Sequence, residues 1–186
     1  TELALATIPG YFGIGGGPAA GRPFGVYEPA RVPANAVNQE IVFIEGDTRE
    51  IDSVIPKEDV TVTPAAGPDA LAPTGATRRV PIGRIIGARS GDKGGNANLG
   101  VFARSDEAWA WLDAFLTTER LQALLPEVGQ FDVDRARLPA LRSLNFVIHG
   151  ILEEGVAAAT RQDGQAKSLG EWLRAREVEI PEALLG

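Results

Sequence analysis

The 186-residue sequence predicts an α+β fold in which one β-sheet is covered on one face by two helices. Three observations indicate it: four short segments have the apolar patterns of strands, two longer segments have helical spacing, and their order is β-β-α-β-β-α. All of these segments begin at or after residue 80, whereas nine of the thirteen prolines precede it. We therefore predict a domain at residues 80–186, a Pro-, Gly- and Ala-rich connector at 64–79, and the end of a larger domain at 1–63.

The N-terminal region contains few predicted elements. Residues 39–45 and 48–51 predict a β-hairpin that turns at Gly46-Asp47, and residues 59–63 predict another short strand. The segment GIGGGP at residues 13–18 exposes several backbone N–H groups. No strand precedes it and no helix start follows it, so a flexible loop is favoured over an anion site.

The beginning of the chain is unusual. The sequence contains no Met and starts at Thr1, which predicts a processed chain or a fragment. An N-terminal Thr can act as a nucleophile that its own amine activates. A clipped chain is the simpler interpretation, and a Thr1 nucleophile is the alternative.

The strands of the domain are predicted at residues 80–88, 97–104, 131–138 and 144–148. The third segment, FDVDRARL, alternates with a period of two, which predicts a strand with one face in water. The fourth, LNFVI, is almost continuously apolar. This pattern is typical of a central strand.

The first helix is predicted to begin after Ser105, because this N-cap residue precedes two acidic side chains. Its apolar positions continue until Pro126 ends it. The second helix is predicted at residues 165–176, with an inward face formed by Leu169, Trp172 and Leu173. Trp109 and Trp111 have the spacing of core or interface residues, so we do not assign them to a substrate.

Composition excludes several functional classes. The sequence has no Cys, which rules out disulfides, thiolate nucleophiles and Cys-bound metals. Its net charge of -7 and pI near 4.8 disfavour nucleic acids and anionic membranes as partners. No transmembrane or signal segment is evident, so we expect a soluble, cytoplasmic protein. We expect no metal site, since Glu153-Glu154 lacks the further ligands that calcium or magnesium requires.

The densest polar cluster is RSGDKGGNAN at residues 89–98, between two apolar strands. Glycines permit close approach to a ligand, and the N–H groups of a Gly-rich turn can surround an anion. The spacing does not match a P-loop, which disfavours nucleotide hydrolysis. The alternative is a plain hairpin loop in which Asp92 and Lys93 pair with each other. The candidate binding residues are Arg89, Ser90, Gly91, Gly94, Gly95, Asn96 and Asn98.

His149 is the single imidazole of the chain, at the end of LNFVIHG. Strand alternation places Asn145, Val147 and His149 on one face. Imidazole titrates near neutral pH and is therefore a natural proton carrier, although a lone His more often forms only local hydrogen bonds. Asp92, Lys93 and His149 are the candidate catalytic residues, and Asn145 is a further candidate binding residue.

Three segments resemble the C-terminal region of the acyclic terpene utilisation family AtuA: RSGDKGGNANLGVFAR at 89–104, LNFVIHG at 144–150 and DGQAKSLGEWL at 163–173. Residues 3–29, with IPGYFG, resemble more loosely the end of the large domain that precedes it in that family. The resemblance implies a ferredoxin-like domain and a role in the breakdown of acyclic terpenoids or branched acids as coenzyme A thioesters. The matching positions are Ser90, Gly91, Asp92, Lys93, Gly94, Asn98, Asn145, His149 and Gly150.

Two functions follow as hypotheses. In the first, the chain is part of an enzyme that binds an acyl-CoA-type ligand and catalyses hydration, isomerisation or acyl transfer, with coenzyme A as part of the substrate and no other cofactor. In the second, it is a non-catalytic docking domain. Because most of the large domain of the family is missing from this chain, we expect a large AtuA-like domain or subunit, or another copy of the chain, as its partner.

Overall fold

The computed structural model describes residues 23, 25–26, 30–52, 63 and 66–186. Its strands are β1 (Gln39–Val42), β2 (Thr48–Ile51), β3 (Thr77–Pro81), β4 (Ile86–Lys93), β5 (Asn96–Ala103), β6 (Val133–Leu138), β7 (Ser143–Ile148) and β8 (Glu177–Pro181). Its α-helices are α1 (Asp106–Phe115), α2 (Thr118–Leu124) and α3 (Leu169–Ala175). The α+β class is confirmed.

The main sheet is antiparallel and has the strand order β4-β5-β7-β6. β5 and β7 are central, and their register runs from Ala97↔Ile148 to Phe102↔Ser143. The prediction of a central fourth strand is therefore confirmed, as is the half-exposed third strand, which is β6 at the sheet edge. β3 and β8 form a separate two-stranded antiparallel sheet.

One face of the main sheet is covered by helices, and we name it the covered face. α1 packs on β5, and α3 packs on β4 and β5. Every second residue of the central strands points to these helices and is buried: Ala97, Leu99, Val101, Leu144, Phe146 and Ile148. Removing a large apolar side chain from water stabilises the fold by about 1.5–3 kcal/mol, so this face carries most of the driving force.

The edge of the covered face at β6 is closed by charge instead of apolar packing. Arg135 and Arg137 lie on this side of β6, because they alternate with the same register as Val133. Arg135 Nη2 donates to Asp113 Oδ1 of α1 at 2.7 Å, and Arg137 Nη2 donates to Asp113 Oδ2 at 2.5 Å. Both arginines therefore tie α1 to the edge strand.

The first predicted helix is two helices, α1 and α2. Ser105 Oγ accepts from the Ala108 N–H at 3.1 Å, which confirms the predicted N-terminal cap. α1 ends at Phe115, and Thr117 Oγ1 accepts from the Arg120 N–H at 3.2 Å and caps α2. The continuous helix was wrong because a threonine at this position offers an alternative partner to the backbone.

The second predicted helix is shorter than expected, and Trp172 is not on its buried face. Asp163 accepts from the N–H groups of Lys167 and Ser168, and Ala166 has φ of 53°, so helical geometry begins later, at Leu169. Trp172 is 40% exposed, so its predicted inward orientation is wrong. Trp109 and Trp111 are buried in the core, as expected for packing residues.

The first predicted strand, residues 80–88, is also wrong in its bounds. Val80 lies in β3 and pairs with Val178, a 3-10 turn follows at Ile82–Arg84, and β4 then runs on to Lys93. β3 begins at Thr77, inside the segment that we predict as a connector. A Cβ on Gly67 would lie 2.4 Å from Pro139 Cβ, so this part of the connector lies against the domain.

In the N-terminal region, β1 and β2 form the predicted hairpin, and all eight of their residues are exposed. Thr1, the loop at 13–18 and nearly all of the predicted strand at 59–63 lie outside the described residues. Among the helices of the described chain, none has both the length and the apolar character to cross a membrane.

Candidate functional site

The second face of the main sheet, which we name the open face, carries most of the candidate site residues. Strand alternation defines it, because its positions are those between the buried ones. In the described part of the chain no helix packs on it. Its members are Gly87, Arg89, Gly91, Lys93, Asn96, Asn98, Gly100, Phe102, Asp134, Ala136, Leu138, Ser143, Asn145, Val147 and, just beyond β7, His149.

The predicted Gly-rich loop is a tight hairpin. β4 and β5 pair at eight positions, from Ile86↔Ala103 to Lys93↔Asn96, which leaves Gly94-Gly95 as the turn. Gly94 has φ of 63°, the left-handed value that such a turn needs at its first position. A Cβ on Gly95 would meet the Glu153 carbonyl oxygen at 2.2 Å. The expected loop at residues 89–96 was wrong because β4 continues through its polar residues, which pair with the apolar and polar residues of β5 up to Lys93↔Asn96.

Two candidate residues point to the covered side of the sheet. Ser90 Oγ accepts from the Gly170 N–H at 3.0 Å, in the first turn of α3, so this hydroxyl ties helix to strand. Asp92 Oδ1 lies 3.7 Å from Lys167 Nζ. Lys93 Nζ donates instead to the backbone carbonyl of Asp92 at 3.0 Å. The alternative of a mutual side-chain pair between Asp92 and Lys93 is not what the structure shows.

An amide pair crosses the two central strands on the open face. Asn98 Nδ2 donates to Asn145 Oδ1 at 3.1 Å, and both side chains are half-buried. The predicted common face of Asn145, Val147 and His149 agrees with the alternation, since Phe146 and Ile148 between them are fully buried. The pairing fixes both carboxamides above the centre of the sheet.

Gly100 lies beside this pair and separates it from a cation. In the register, Gly100 is opposite Arg89 on one side and opposite Asn145 on the other. A Cβ on Gly100 would have no neighbour closer than the Arg89 carbonyl oxygen at 3.8 Å, so the space above it is open. Arg89 is exposed and forms no ion pair or hydrogen bond within the described residues.

His149 has a carboxylate partner that sequence reasoning missed. Its Nε2 lies 2.8 Å from Asp134 Oδ2, and its backbone N–H donates to the Asp132 carbonyl. Asp134 is on the edge strand β6, ten positions before the nearest motif, LNFVIHG. The alternation of β6 showed that Asp134 faces water, but its partner depends on how β6 pairs with β7.

A depression of about 510 Å³ lies beside α3 and is lined by Gln162, Asp163, Lys167, Ser168 and Trp172. Partial burial raises the pKa of Asp163. The hydrogen bonds from Ser168 and from the Lys167 N–H outweigh that effect and hold the pKa below its usual range. Asp163 is therefore an anionic cap for the segment before α3, with its oxygens occupied.

In the described chain, no group of three or more His, Cys, Asp or Glu side chains is arranged to hold a metal ion. Glu153 and Glu154, the adjacent acidic pair, are both exposed.

Comparison with protein families gives one match. The model of the AtuA ferredoxin-like domain matches residues 80–179, which is more than half of the chain. The chain belongs to this family. The matched part of the AtuA domain contains the whole main sheet, the three α-helices and every candidate site residue, and it confirms the ferredoxin-like fold. Membership indicates a role in acyclic terpene utilisation. Neither the curated proteins nor the solved structures returned a match.

Proposed function

We propose that this chain is part of an AtuA-type enzyme or enzyme complex that acts on acyclic terpenoid or branched acyl groups carried as coenzyme A thioesters. The open face is its ligand face. The observation that supports this is the meeting of Arg89, Lys93, the Asn98–Asn145 pair and His149 on one side of one sheet, with no helix of the described chain above them.

The distribution of charge favours an anionic ligand on this domain despite the acidic composition of the chain. Residues 1–70 carry four basic and ten acidic side chains, whereas residues 71–186 carry fourteen and fifteen. The domain is therefore close to neutral. Two cations of the open face, Arg89 and Lys93, are both exposed on the edge strand β4, where a negative group can reach them.

The acid-base residue of this proposal is His149. Hydration, isomerisation and acyl transfer next to a thioester carbonyl each need a donor at the oxygen and a group that moves a proton. Asp134 holds the Nε2 side of the imidazole and leaves Nδ1 for a ligand. Asp92 is less suited than His149, because its carboxylate lies beside Lys167 instead of on the open face.

A flat sheet face supplies one wall of a site. The second wall would come from a large AtuA-like domain or subunit, or from another copy of the chain. Coenzyme A would enter as part of the substrate, so the proposal needs no separate cofactor.

Thermal unfolding with coenzyme A and isovaleryl-CoA tests the proposal. A ligand that binds only the folded chain, at 100 times its Kd, stabilises it by about 2.7 kcal/mol. We expect isovaleryl-CoA to raise the melting temperature and Lys93→Ala to reduce that shift. Arg78→Ala is the control, since it removes an exposed cation from the separate sheet of β3 and β8. If neither compound changes the melting temperature, the proposal is contradicted.

A docking role is the second candidate, and exposed apolar side chains favour it. Phe102 is 45% exposed and Leu138 is 42% exposed at one end of the open face, and Leu141 beside them is 68% exposed. An exposed apolar patch of this kind is typical of a surface that binds another protein. Under this hypothesis Phe102→Ser weakens association in light scattering, and coenzyme A thioesters have no effect on melting.

A further inference from the structure

We propose that the space above Gly100 is a subsite for a carboxylate, held between the Arg89 guanidinium and the Asn98–Asn145 pair, and that Gly100 determines whether the ligand fits. This inference rests on the proposed function, because it takes the open face as the ligand face.

The first argument is the room above Gly100. Arg89 and Asn145 are on the two strands that flank Gly100, so their Cα atoms are about 9.6 Å apart, two strand spacings of about 4.8 Å. Between these two residues the sheet surface consists of the Gly100 backbone, without a side chain. Packing does not require a glycine here: its φ is not in the left-handed range, and the nearest atom to a Cβ would be 3.8 Å away. A strand position of this kind normally favours a larger side chain.

The second argument is the chemistry of the two walls. Arg89 brings five N–H donors in a planar fork, and its side chain forms no hydrogen bond or ion pair with the rest of the described chain. On the other wall, Asn145 uses its oxygen for Asn98, which directs its own NH₂ group away from that bond. In the proposed subsite, a carboxylate would accept hydrogen bonds from Arg89 on one side and from the Asn145 amide on the other. A planar carboxylate matches an arginine fork with two parallel hydrogen bonds.

The surrounding charges agree with an anion in this place. Asp134 is the carboxylate of the open face. It lies three strand spacings from Arg89, and its Oδ2 is 2.8 Å from His149 Nε2. Asp92 points to the covered side, beside Lys167. An anion above Gly100 therefore has a cation as its nearest charged neighbour.

The third argument concerns the rest of the ligand. Phe102 is two positions along β5 from Gly100, on the same face, about 6.6 Å away along the strand. Its ring lies over Gly87, where a Cβ would meet the ring at 2.1 Å, and it is 45% exposed. A short branched carboxylic acid with its carboxylate above Gly100 would lay its hydrocarbon part on this ring.

Titration of the full chain with isovalerate tests the subsite, with NMR signals of the Arg89 Nε–H and the Asn98 and Asn145 side-chain amides as the readout. We expect these signals to shift together. Arg89→Gln should weaken binding about tenfold or more, since hydrogen bonds between charged groups contribute about 1.5–3 kcal/mol. Isovaleramide, which has the same shape without the charge, should bind much more weakly than isovalerate.

Gly100→Val is the decisive variant, and Ala136→Val is its matched control. Ala136 lies in the same row of the open face on the far side of Asn145, so it gains side-chain bulk outside the subsite. We expect both variants to keep the wild-type melting temperature and only Gly100→Val to lose isovalerate binding. Shifts that are absent, or binding that survives in Gly100→Val, overturn the inference. If Gly100→Val alone lowers the melting temperature, glycine is required at this position for folding. This result would also overturn the inference.

The two proposals fail separately. If isovaleryl-CoA stabilises the wild type but isovalerate shifts none of the Arg89, Asn98 and Asn145 signals, the proposed function stands and the subsite is wrong. If isovalerate binds above Gly100 but no thioester stabilises the chain, the subsite stands and the thioester function is wrong.

Discussion

The two faces of the main sheet are built from the same strands, but they differ in residue type and in burial. On the covered face, β5 and β7 contribute Leu99, Val101, Leu144, Phe146 and Ile148, each with 0% exposure. On the open face, the alternate positions of the same strands are asparagine, glycine, serine and valine, with one phenylalanine, Phe102, near the end of β5. Since a strand presents its residues to the two faces in turn, one stretch of sequence specifies a core and a polar surface together.

This difference predicts that stability depends mainly on the covered face, whereas ligand or partner binding depends on the open face. A substitution on the covered face changes the free energy of unfolding, because it removes buried contacts. A substitution on the open face leaves the core intact and is free to change ligand or partner binding. The following predictions test that separation, in order of decreasing effect.

The largest effect is expected for Phe146→Ala. Phe146 is fully buried beneath the helices, so its truncation should cost about 3–5 kcal/mol. Val147→Ala, the neighbouring change on the open face, should cost less than about 1.5 kcal/mol, since this side chain is only half-buried. Urea unfolding measures both. Equal losses would mean that the open face is packed as tightly as the covered one.

Gly95→Ala should also destabilise the chain, by about 1–3 kcal/mol, because a new Cβ would meet the Glu153 carbonyl oxygen at 2.2 Å. Gly100→Ala, five residues along the same hairpin, should be neutral or slightly stabilising, because the space above it is open. The melting temperatures of the two variants, each compared with the wild type, test this prediction. If Gly95→Ala is as stable as the wild type, the close approach of the Glu153 backbone to the β4–β5 hairpin is contradicted.

The edge of the covered face should show a dependence on pH. Partial burial raises the pKa of Asp113, but hydrogen bonds and charge from Arg137 and Arg135 outweigh it, so the pKa lies below its usual range. The unfolded chain therefore binds this proton more readily than the folded chain. The stabilisation is complete above the unfolded pKa, about 3.9, and is lost as the pH falls through the lower folded value.

Asp113→Asn tests this dependence. Above about pH 5 it should cost roughly 1–3 kcal/mol, and its difference from the wild type should shrink as the pH falls below 3.9. Urea unfolding across this pH range is the measurement. Glu171→Gln removes an exposed pair with Arg174 and should change stability by less than about 1 kcal/mol at any pH. A gap that persists undiminished at low pH would contradict the assignment to Asp113 ionisation.

The smallest effect is expected for Ser90→Ala, which removes one hydrogen bond between β4 and α3. We expect a loss of about 1 kcal/mol, with no change in isovalerate binding, since the hydroxyl accepts from Gly170 on the covered side. Asn98→Ala should show the reverse pattern. If Ser90→Ala weakened isovalerate binding without changing stability, the division between the faces would not hold at β4.

Local patterns predicted most of the elements but not their ends. The Ser105 cap, the hairpin at Gly46 and the central position of β7 each depend on a few neighbouring residues, and all three are confirmed. The break between α1 and α2 and the late start of α3 were missed, because Thr117 and Asp163 compete for backbone N–H groups in ways that apolar spacing does not report.

The candidate site was predictable as a set of residue types and not as a shape. Arg89, Lys93 and Asn98 stand out as polar residues between apolar strands. Their arrangement as a strand face instead of a loop depended on pairing from Ile86↔Ala103 to Lys93↔Asn96. Gly100 carried no signal, because its proposed role depends on its position opposite both Arg89 and Asn145.

The sequence by itself determined the fold class, the family and the alternation that gives the sheet two unlike faces, since these depend on residue type and short-range order. The tertiary structure alone decided which distant residues became neighbours: Asn98 with Asn145, His149 with Asp134, and Ser90 with Gly170. The physical reason is that strand register and helix packing are set by the burial of the whole core, so a polar pair across two strands forms where the apolar face places it.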